Sequence, residues 1–424
     1  MSRPEFGILL IATAYSLYTF LFNLHCTYWK LLNIKKRAKY KMKHISEREV
    51  ELPDAVIGHL LELAAEHKDI ISISAGEPDF LTPKPLIYYT RKIAHKGTHY
   101  APSQGRIELR EAICKKLKKD NKINCNPDNV LVTCGSQQGI LAALLTCMDV
   151  SEQVVLPSPC YLAYIPQIEL VDAFPVFFQL KEEDKWQINT DELKKAIDKK
   201  KTNAILINTP SNPTGTVLSR KILEEIADIA VENNLYLFCD EAYEKLIYDA
   251  KHVSVGSLNG MGDYVVSFFT FSKSYAMCGY RVGYTVGPRE VIKAMTKVTH
   301  YITLSAPNIS QLVATKALSL NKKYIEVMRK EYDRRRKFIV KRLNDMCLPT
   351  IMPQGAFYSF SNIKHLSKDS YKFAKDLLKK SKVAVVPGRE FGKFGEGYIR
   401  CSYATDLSNI KIAMDRLEKF VKKL

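Results

Sequence analysis

The segment Thr270-Phe-Ser-Lys-Ser-Tyr-Ala-Met-Cys-Gly-Tyr-Arg281 follows an apolar run, Val265-Val-Ser-Phe-Phe269, that reads as a buried strand. It places Lys273 at the tip of that strand and Arg281 eight residues on. A lysine held among apolar neighbours and near another cation loses basicity, and its neutral amine becomes a nucleophile toward a carbonyl. An arginine offers a fixed fork of donors suited to phosphate. Gly135-Ser136-Gln137 follows Val130-Leu-Val-Thr133 and starts a helix, where free backbone N–H groups favour an anion. Asp240 ends another apolar run, Leu235-Tyr-Leu-Phe-Cys239, and a carboxylate there needs a cationic partner. Taken alone, Lys273 reads as a surface lysine and Asp240 as a helix N-cap before Glu241-Ala-Tyr243. Together with Tyr243 and with Asn212 in a proline-flanked loop, they match a phosphate-bearing aldehyde cofactor, which would use all of these groups at once.

The elements that must position them alternate short β-branched runs with helical periodicity, the pattern of a mostly parallel sheet flanked by helices. Val154-Val-Leu156 precedes the turn PSPCY, and Ala204-Ile-Leu-Ile-Asn208 precedes TPSNPTG. Ser219 caps a helix whose apolar residues Ile222, Leu223, Ile226, Ile229 and Ala230 share a face and which ends near Asn233-Asn234. Ligands bind at the carboxyl ends of strands in open α/β sheets, so these loops converge on one crevice. The last part of the chain reads as α+β. Helices over Lys322 to Met346, Ser370 to Ser381 and Leu407 to Leu424 enclose strands Ala356 to Phe360 and Tyr398 to Ser402.

Several motifs together resemble the class I aminotransferases: SAGEPDF (Ser74 to Phe80), HYAPSQGRIELREAI (His99 to Ile113), NTPSNPTG (Asn208 to Gly215), DEAY (Asp240 to Tyr243), SKSYAMCGYRVGY (Ser272 to Tyr284) and YIRCSYA (Tyr398 to Ala404). These are fold-type I pyridoxal-phosphate enzymes of the class I/II family, and the resemblance covers residues 47 to 424. It implies an α/β fold: a large cofactor-binding domain over 76–305 and a smaller α+β domain over 306–424, with 47–75 joining the small domain. It implies pyridoxal 5'-phosphate as cofactor. Lys273 would bond the cofactor covalently, Asp240 would pair with its ring nitrogen, Asn212 and Tyr243 would hydrogen-bond its phenolic oxygen, and Tyr161 would stack on the ring. Gly135, Ser136, Gln137, Thr270, Ser272 and Arg281 would hold the phosphate, and Tyr100 would reach the phosphate of a neighbouring subunit, so a homodimer with shared active sites is expected. Arg400 would grip the substrate α-carboxylate, with Gly76 and Asn212 close by.

The expected reaction moves an amino group between an L-amino acid, aspartate or aromatic first, and a 2-oxo acid such as 2-oxoglutarate. Phe357, Tyr358, Phe360 and Tyr301 are candidates for the substrate side-chain pocket, although Phe357 and Phe360 read more readily as core. An alanine or neutral amino-acid aminotransferase, a carbon-sulfur β-lyase on the same scaffold, and a cofactor-binding protein without turnover are the alternatives.

Composition excludes other classes. With 46% hydrophobic and 25% charged residues the chain is globular. Residues 1–46 hold eight Lys/Arg against the single acid Glu5, a surplus of seven within the total of +18, which leaves +11 spread over the remaining 378 residues as mixed-sign surface. No basic stripe interleaved with aromatics points to nucleic acid. Ten scattered cysteines, with no CxxC pair and no Cys/His spacing suited to zinc, read as free thiols in a reducing compartment, with no metal expected. GREFGK (Gly388 to Lys393) is one residue short of a phosphate loop. Phe6 to Trp29 carries no Asp, Glu, Lys or Arg and is long enough to cross a bilayer, and a basic cluster follows it. The expectation is a cytoplasmic enzyme tethered, if at all, through residues 6–29. A true start at Met42 and a targeting peptide are the other readings.

Overall fold

A computed structural model describes residues 69–424 apart from residue 259, together with residues 45, 46, 49, 52 and 67. The chain divides into two compact units, Met1–Leu52 and Pro53–Leu424, and nearly all described residues belong to the second. The expected membrane segment at 6–29 lies outside the described residues. Among the described residues no helix is long and apolar enough to cross a membrane.

The strands, in chain order, are β1 (Ile71–Ser72), β2 (Val130–Thr133), β3 (Gln153–Ser158), β4 (Phe174–Gln179), β5 (Thr202–Asn208), β6 (Tyr236–Asp240), β7 (Val265–Thr270), β8 (Gly283–Val286), β9 (Tyr358–Asn362), β10 (Val383–Ala384), β11 (Val386–Pro387) and β12 (Tyr398–Ser402). Seven of them form one sheet in the order β2-β8-β7-β6-β5-β3-β4. Within it β8 runs antiparallel to both neighbours and the other pairings are parallel. The β-branched and aromatic runs of β2, β5, β6 and β7 are buried almost throughout, because helices cover a parallel sheet on both faces. The helix Arg220–Glu232 packs Leu223, Ile226, Ile229 and Ala230 into that core while Ile222 is half-buried, and the Ser219 side chain accepts from the Ile222 N–H as its cap.

A second sheet, β11-β12-β9, is antiparallel, and β1 pairs in parallel with β10. Helices Lys323–Asp345, Ser370–Ser381 and Leu407–Val421 bury Ile339, Leu343, Phe373, Leu377, Ile410 and Leu417 in one cluster with Ile399 of β12. The strand expected over Ala356 to Phe360 lies two residues later, at Tyr358–Asn362. Its register is fixed by β12, with Arg400 opposite Phe360.

Two glycines let the sheet edge close around the site. Gly135 has φ +84, the left-handed region that costs glycine least, and it turns the chain from β2 into the helix Ser136–Cys147. A Cβ on Gly283, at the start of β8, would lie 2.6 Å from the Phe269 carbonyl oxygen and 2.9 Å from the Gly135 Cα. Backbone cannot yield as a flexible side chain would. Gly283→Ala should therefore lower stability by roughly 1–3 kcal/mol, as overpacking does. It should also weaken retention of the cofactor that the motifs imply, because the Gly135 turn must move. Urea denaturation and the cofactor content of purified protein check both, and a variant equal to the parent in both measurements would contradict the close packing.

Candidate active site

The carboxyl ends of β2, β3, β5, β6 and β7 open onto a cavity of about 290 Å3. Its lining includes Gly76, Gly135, Ser136, Gln137, Tyr161, Asn212, Asp240, Tyr243, Thr270, Ser272, Lys273, Arg281 and Arg400. Every residue expected from the sequence to hold the cofactor or the substrate carboxylate therefore lines it except Tyr100, which is 82% exposed and does not line the cavity of its own chain.

Lys273 stands in the single helical turn Phe271–Ser274, which Thr270 caps by accepting the Ser272 N–H at 3.1 Å. Its Nζ donates to the Gly76 carbonyl at 2.6 Å, so the amine is aimed across the cavity. Arg281 has a left-handed backbone, φ 51, and donates to the carbonyls of Cys278 (3.0 Å) and Cys134 (3.1 Å). Its Nη2 lies 2.9 Å from where a Gly135 Cβ would be. The guanidinium thus sits against the first turn of the helix Ser136–Cys147, where unpaired N–H groups add to its field, and it has no carboxylate partner among the described residues. This arrangement could hold a dianionic phosphate.

Asp240 is buried at the end of β6. One oxygen accepts from the Tyr164 hydroxyl at 2.7 Å and the other from the Ala242 N–H at 3.0 Å, the N-cap-like contact that the sequence allowed. Burial pushes its carboxyl up to about 6 against these two hydrogen bonds. Tyr164 is a site residue that sequence reasoning missed. Its spacing of three from Tyr161 was the available signal, and the two rings pack edge to face at 5.3 Å.

Arg400 is buried in β12, its Nη1 donating to the Asn212 side-chain oxygen (3.0 Å) and Nη2 to the Ser74 carbonyl (2.6 Å). The Tyr358 ring lies 4.3 Å and the Phe391 ring 5.1 Å from its guanidinium carbon. Its Nε has no hydrogen-bond partner, and no carboxylate pairs with it, among the described residues. A buried cation in that state leaves a donor that an anionic ligand would satisfy. Asn212 is held in turn by its N–H donating to the Asn208 side chain at 2.7 Å.

The Tyr243 hydroxyl meets the Tyr358 hydroxyl at 2.8 Å, and burial raises the Tyr243 phenol well above its usual range, so it remains a protonated donor. The four pocket candidates separate here. Tyr358 lines the cavity. Phe357 is core, against Tyr243 and Tyr332, and Phe360 is core, stacked on Tyr398 at 4.9 Å. Tyr301 is 81% exposed and stands outside.

The same region governs the comparison with known proteins. Residues 68–417 match the family described as aminotransferase class I and II. The chain belongs to that family. The aminotransferase is 45% identical to an aspartate aminotransferase of Pyrococcus abyssi over 87% of this chain and 95% of that protein. It is 42% identical to aromatic-amino-acid aminotransferase 2 of Thermococcus litoralis over 89% and 98% of the two chains. Its fold superposes on the crystal structure of the Pyrococcus horikoshii aromatic aminotransferase with a TM-score of 0.82 at 45% identity, covering 87% of this chain and 99% of that one. This aminotransferase uses pyridoxal 5'-phosphate, and the cavity fits that cofactor. A glycine cradle and arginine suit the phosphate, an amine suits the aldehyde, and a buried carboxylate without a cationic partner suits a protonated ring nitrogen.

Asp240 carries a stability signature. Its folded-state pKa of about 6 lies above the ordinary 3.8, so between those values the folded, cofactor-free protein holds a proton that the unfolded chain has released. Stability therefore falls as pH rises through that window, by about 3 kcal/mol once ionisation is complete. Asp240→Asn keeps an acceptor for Tyr164 and removes the charge. The cofactor-free variant should be more stable than the cofactor-free parent near pH 8, by up to about 3 kcal/mol, with the advantage shrinking toward pH 4. Urea titrations at the two pH values measure it, and an equal or lower stability near pH 8 would count against a strained carboxylate.

Proposed function

We propose that this aminotransferase takes L-aspartate or an aromatic L-amino acid as donor and 2-oxoglutarate as acceptor. The names of its relatives support the substrate class. The observation that carries the reading is the buried, unpaired Arg400, whose free Nε and flanking Asn212 form a receptor for an α-carboxylate. Beyond it, Tyr161, Leu162, Ile140 and Tyr358 give the cavity an apolar wall that suits an aromatic donor.

Pyridoxal phosphate supplies an electron sink for the bond broken at the substrate Cα. The residues do the rest. Arg281, Gly135, Ser136, Gln137, Thr270 and Ser272 would hold the phosphate and so orient the aldehyde toward Lys273. Asp240, held by Tyr164, would keep the ring nitrogen protonated. Tyr243 and Asn212 would hydrogen-bond the cofactor's phenolic oxygen, and Tyr161 would pack against the ring. Arg400 orients the substrate so that its Cα–H faces the Lys273 amine, which takes the proton as general base and returns it as general acid.

The division into a large unit over 76–305 and a small unit over 306–424 is part of the proposal. The separate β11-β12-β9 sheet and the pairing of β1 with β10, which ties residues before 76 to the C-terminal part, support it. So is a homodimer with shared sites. The exposed Tyr100, Ile107, Tyr301 and Ile302 stand on segments joined by the Ser103–His300 and His99–Asn308 hydrogen bonds, an apolar surface suited to a second copy. A cytoplasmic location is supported by the nine described cysteines, all of them free.

Half-transamination by single amino acids, followed as conversion of the cofactor from aldehyde to amine across all twenty, tests the substrate reading. Aspartate or the aromatic residues should lead, and a lead by alanine would replace it. Pyruvate and ammonia from cystathionine without an added 2-oxo acid would point to a lyase. Lys273→Ala should retain no covalently bound cofactor after borohydride treatment and no turnover. Arg400→Lys should lower kcat/KM for amino acids about a hundredfold or more, the cost of losing a buried fork, while cofactor binding persists. Residual activity of Lys273→Ala near the parent's would refute the assigned lysine.

A further inference from the structure

Two thiols away from the cavity meet at 3.5 Å: the Cys125 Sγ–H points at the Cys114 Sγ. Cys114 lies in the helix Ile107–Lys116, Cys125 in the loop before β2, eleven positions on, and both are half-buried. We propose that Cys114 and Cys125 form a peroxide-oxidisable thiol pair, in which Cys114 attacks the oxidant and Cys125 resolves the product into a disulfide.

The geometry assigns the two roles. Cys114 receives the hydrogen bond from Cys125 and lies near the Arg110 guanidinium, which is held in place by the carbonyls of Gly105 (3.1 Å) and Pro127 (2.8 Å). The hydrogen bond from Cys125 and the charge of Arg110 hold the Cys114 thiol below its ordinary range despite burial. Burial pushes the thiols of Cys147, Cys160 and Cys401 the other way, up to about 12. A sulfur with thiolate character, partial access and a second sulfur in contact is the arrangement that oxidises reversibly.

The chemistry balances. The Cys114 thiolate attacks one peroxide oxygen, the O–O bond breaks, and after protonation the products are a sulfenic acid and one water. The Cys125 sulfur then attacks the Cys114 sulfur, the S–O bond breaks, and the second water leaves as the S–S bond forms. The two sulfurs lose two electrons and the peroxide gains them. Closing from 3.5 Å to a bond of roughly 2.0 Å brings the two sulfurs about 1.5 Å nearer.

The clipped segment has work to do in the fold. It contains Lys116, Asp120 and Asn121, which bind Glu244 and Lys245 in the turn that follows Asp240 and carries Tyr243. A covalent link across its ends limits the opened states of the segment and stabilises that support.

The test is to treat the holoenzyme with stoichiometric hydrogen peroxide, block free thiols with N-ethylmaleimide and map peptides by mass. A Cys114–Cys125 linked peptide two hydrogens lighter than its reduced halves is expected, while the exposed Cys347 remains open to alkylation. In Cys125→Ser, dimedone should trap a sulfenic acid at Cys114. In Cys114→Ser, Cys125 should remain alkylatable. The melting temperature of the parent should rise by a few degrees on oxidation and that of Cys125→Ser should not. Loss of free Cys347 before any linked peptide forms would overturn the pair, as would a reduced pair after treatment. Absence of the dimedone adduct would overturn the order of attack, and a lower melting temperature would overturn the clip.

Discussion

Charges buried without counter-charges govern this structure. Arg400 and Asp240 both line the cavity, neither is ion-paired to the other or to any other side chain among the described residues, and both are removed from water. Each would cost several kcal/mol if left alone in a dry interior. Neutral dipoles offset part of the cost: two carbonyl-type oxygens for Arg400, a phenol and a backbone N–H for Asp240. What remains is the free energy that a ligand with a carboxylate and a cofactor with a cationic ring would recover. The specificity of the site is therefore written as incomplete solvation of charges that do not pair with each other.

Beneath the same site the charges are paired. The turn Glu241 to Lys245 sends Glu244 to Lys116 and Lys245 to Asp120, and Glu241 accepts from Ser254 and meets His252 Nε2 at 2.7 Å. Lys116 also lies 4.8 Å from the centre of the Phe269 ring, one residue before Thr270. One lysine therefore touches both the turn that carries Tyr243 and the strand that delivers Lys273. Ion-paired charges below and unpaired charges above give a braced floor under a reactive face, the division of labour that positions a constellation of this kind.

Much of this was legible in the chain. Apolar runs ending in Thr133, Asn208, Asp240 and Thr270 became strands whose ends meet at the cavity, because a helix-covered parallel sheet requires continuous apolar runs and places chemistry where they stop. The side-chain pocket was read less well. Tyr358 and Phe360 share a strand face, yet only Tyr358 lines the cavity, because residues two apart are separated by about 6.6 Å and the cavity ends between them. Alternation tells which face a residue occupies and not how far the cavity extends along it. The hydrogen bond from Tyr164 to Asp240 joins residues 76 positions apart, and no local pattern encodes it. Tyr100 and Tyr301 could be placed on loops and helix ends, but a single chain leaves them in solvent.

The direction of one strand explains the eight-residue spacing between Lys273 and Arg281. Lys273 follows the carboxyl end of β7, and Arg281 precedes the amino end of β8 by two residues. Were β8 parallel to β7, its start would lie at the far edge of the sheet, and a crossover of a dozen or more residues would be needed to reach it. Because β8 is antiparallel, Thr270 pairs with Gly283, and both the end of one strand and the start of the next stand at the cavity edge. A short loop then suffices to carry the amine and the guanidinium to the same opening. Gly283 permits the final approach, since the Phe269 carbonyl and the Gly135 backbone occupy the space that any side chain would need. The antiparallel strand in an otherwise parallel sheet thus brings Arg281 to the cavity that Lys273, eight residues before it, also lines.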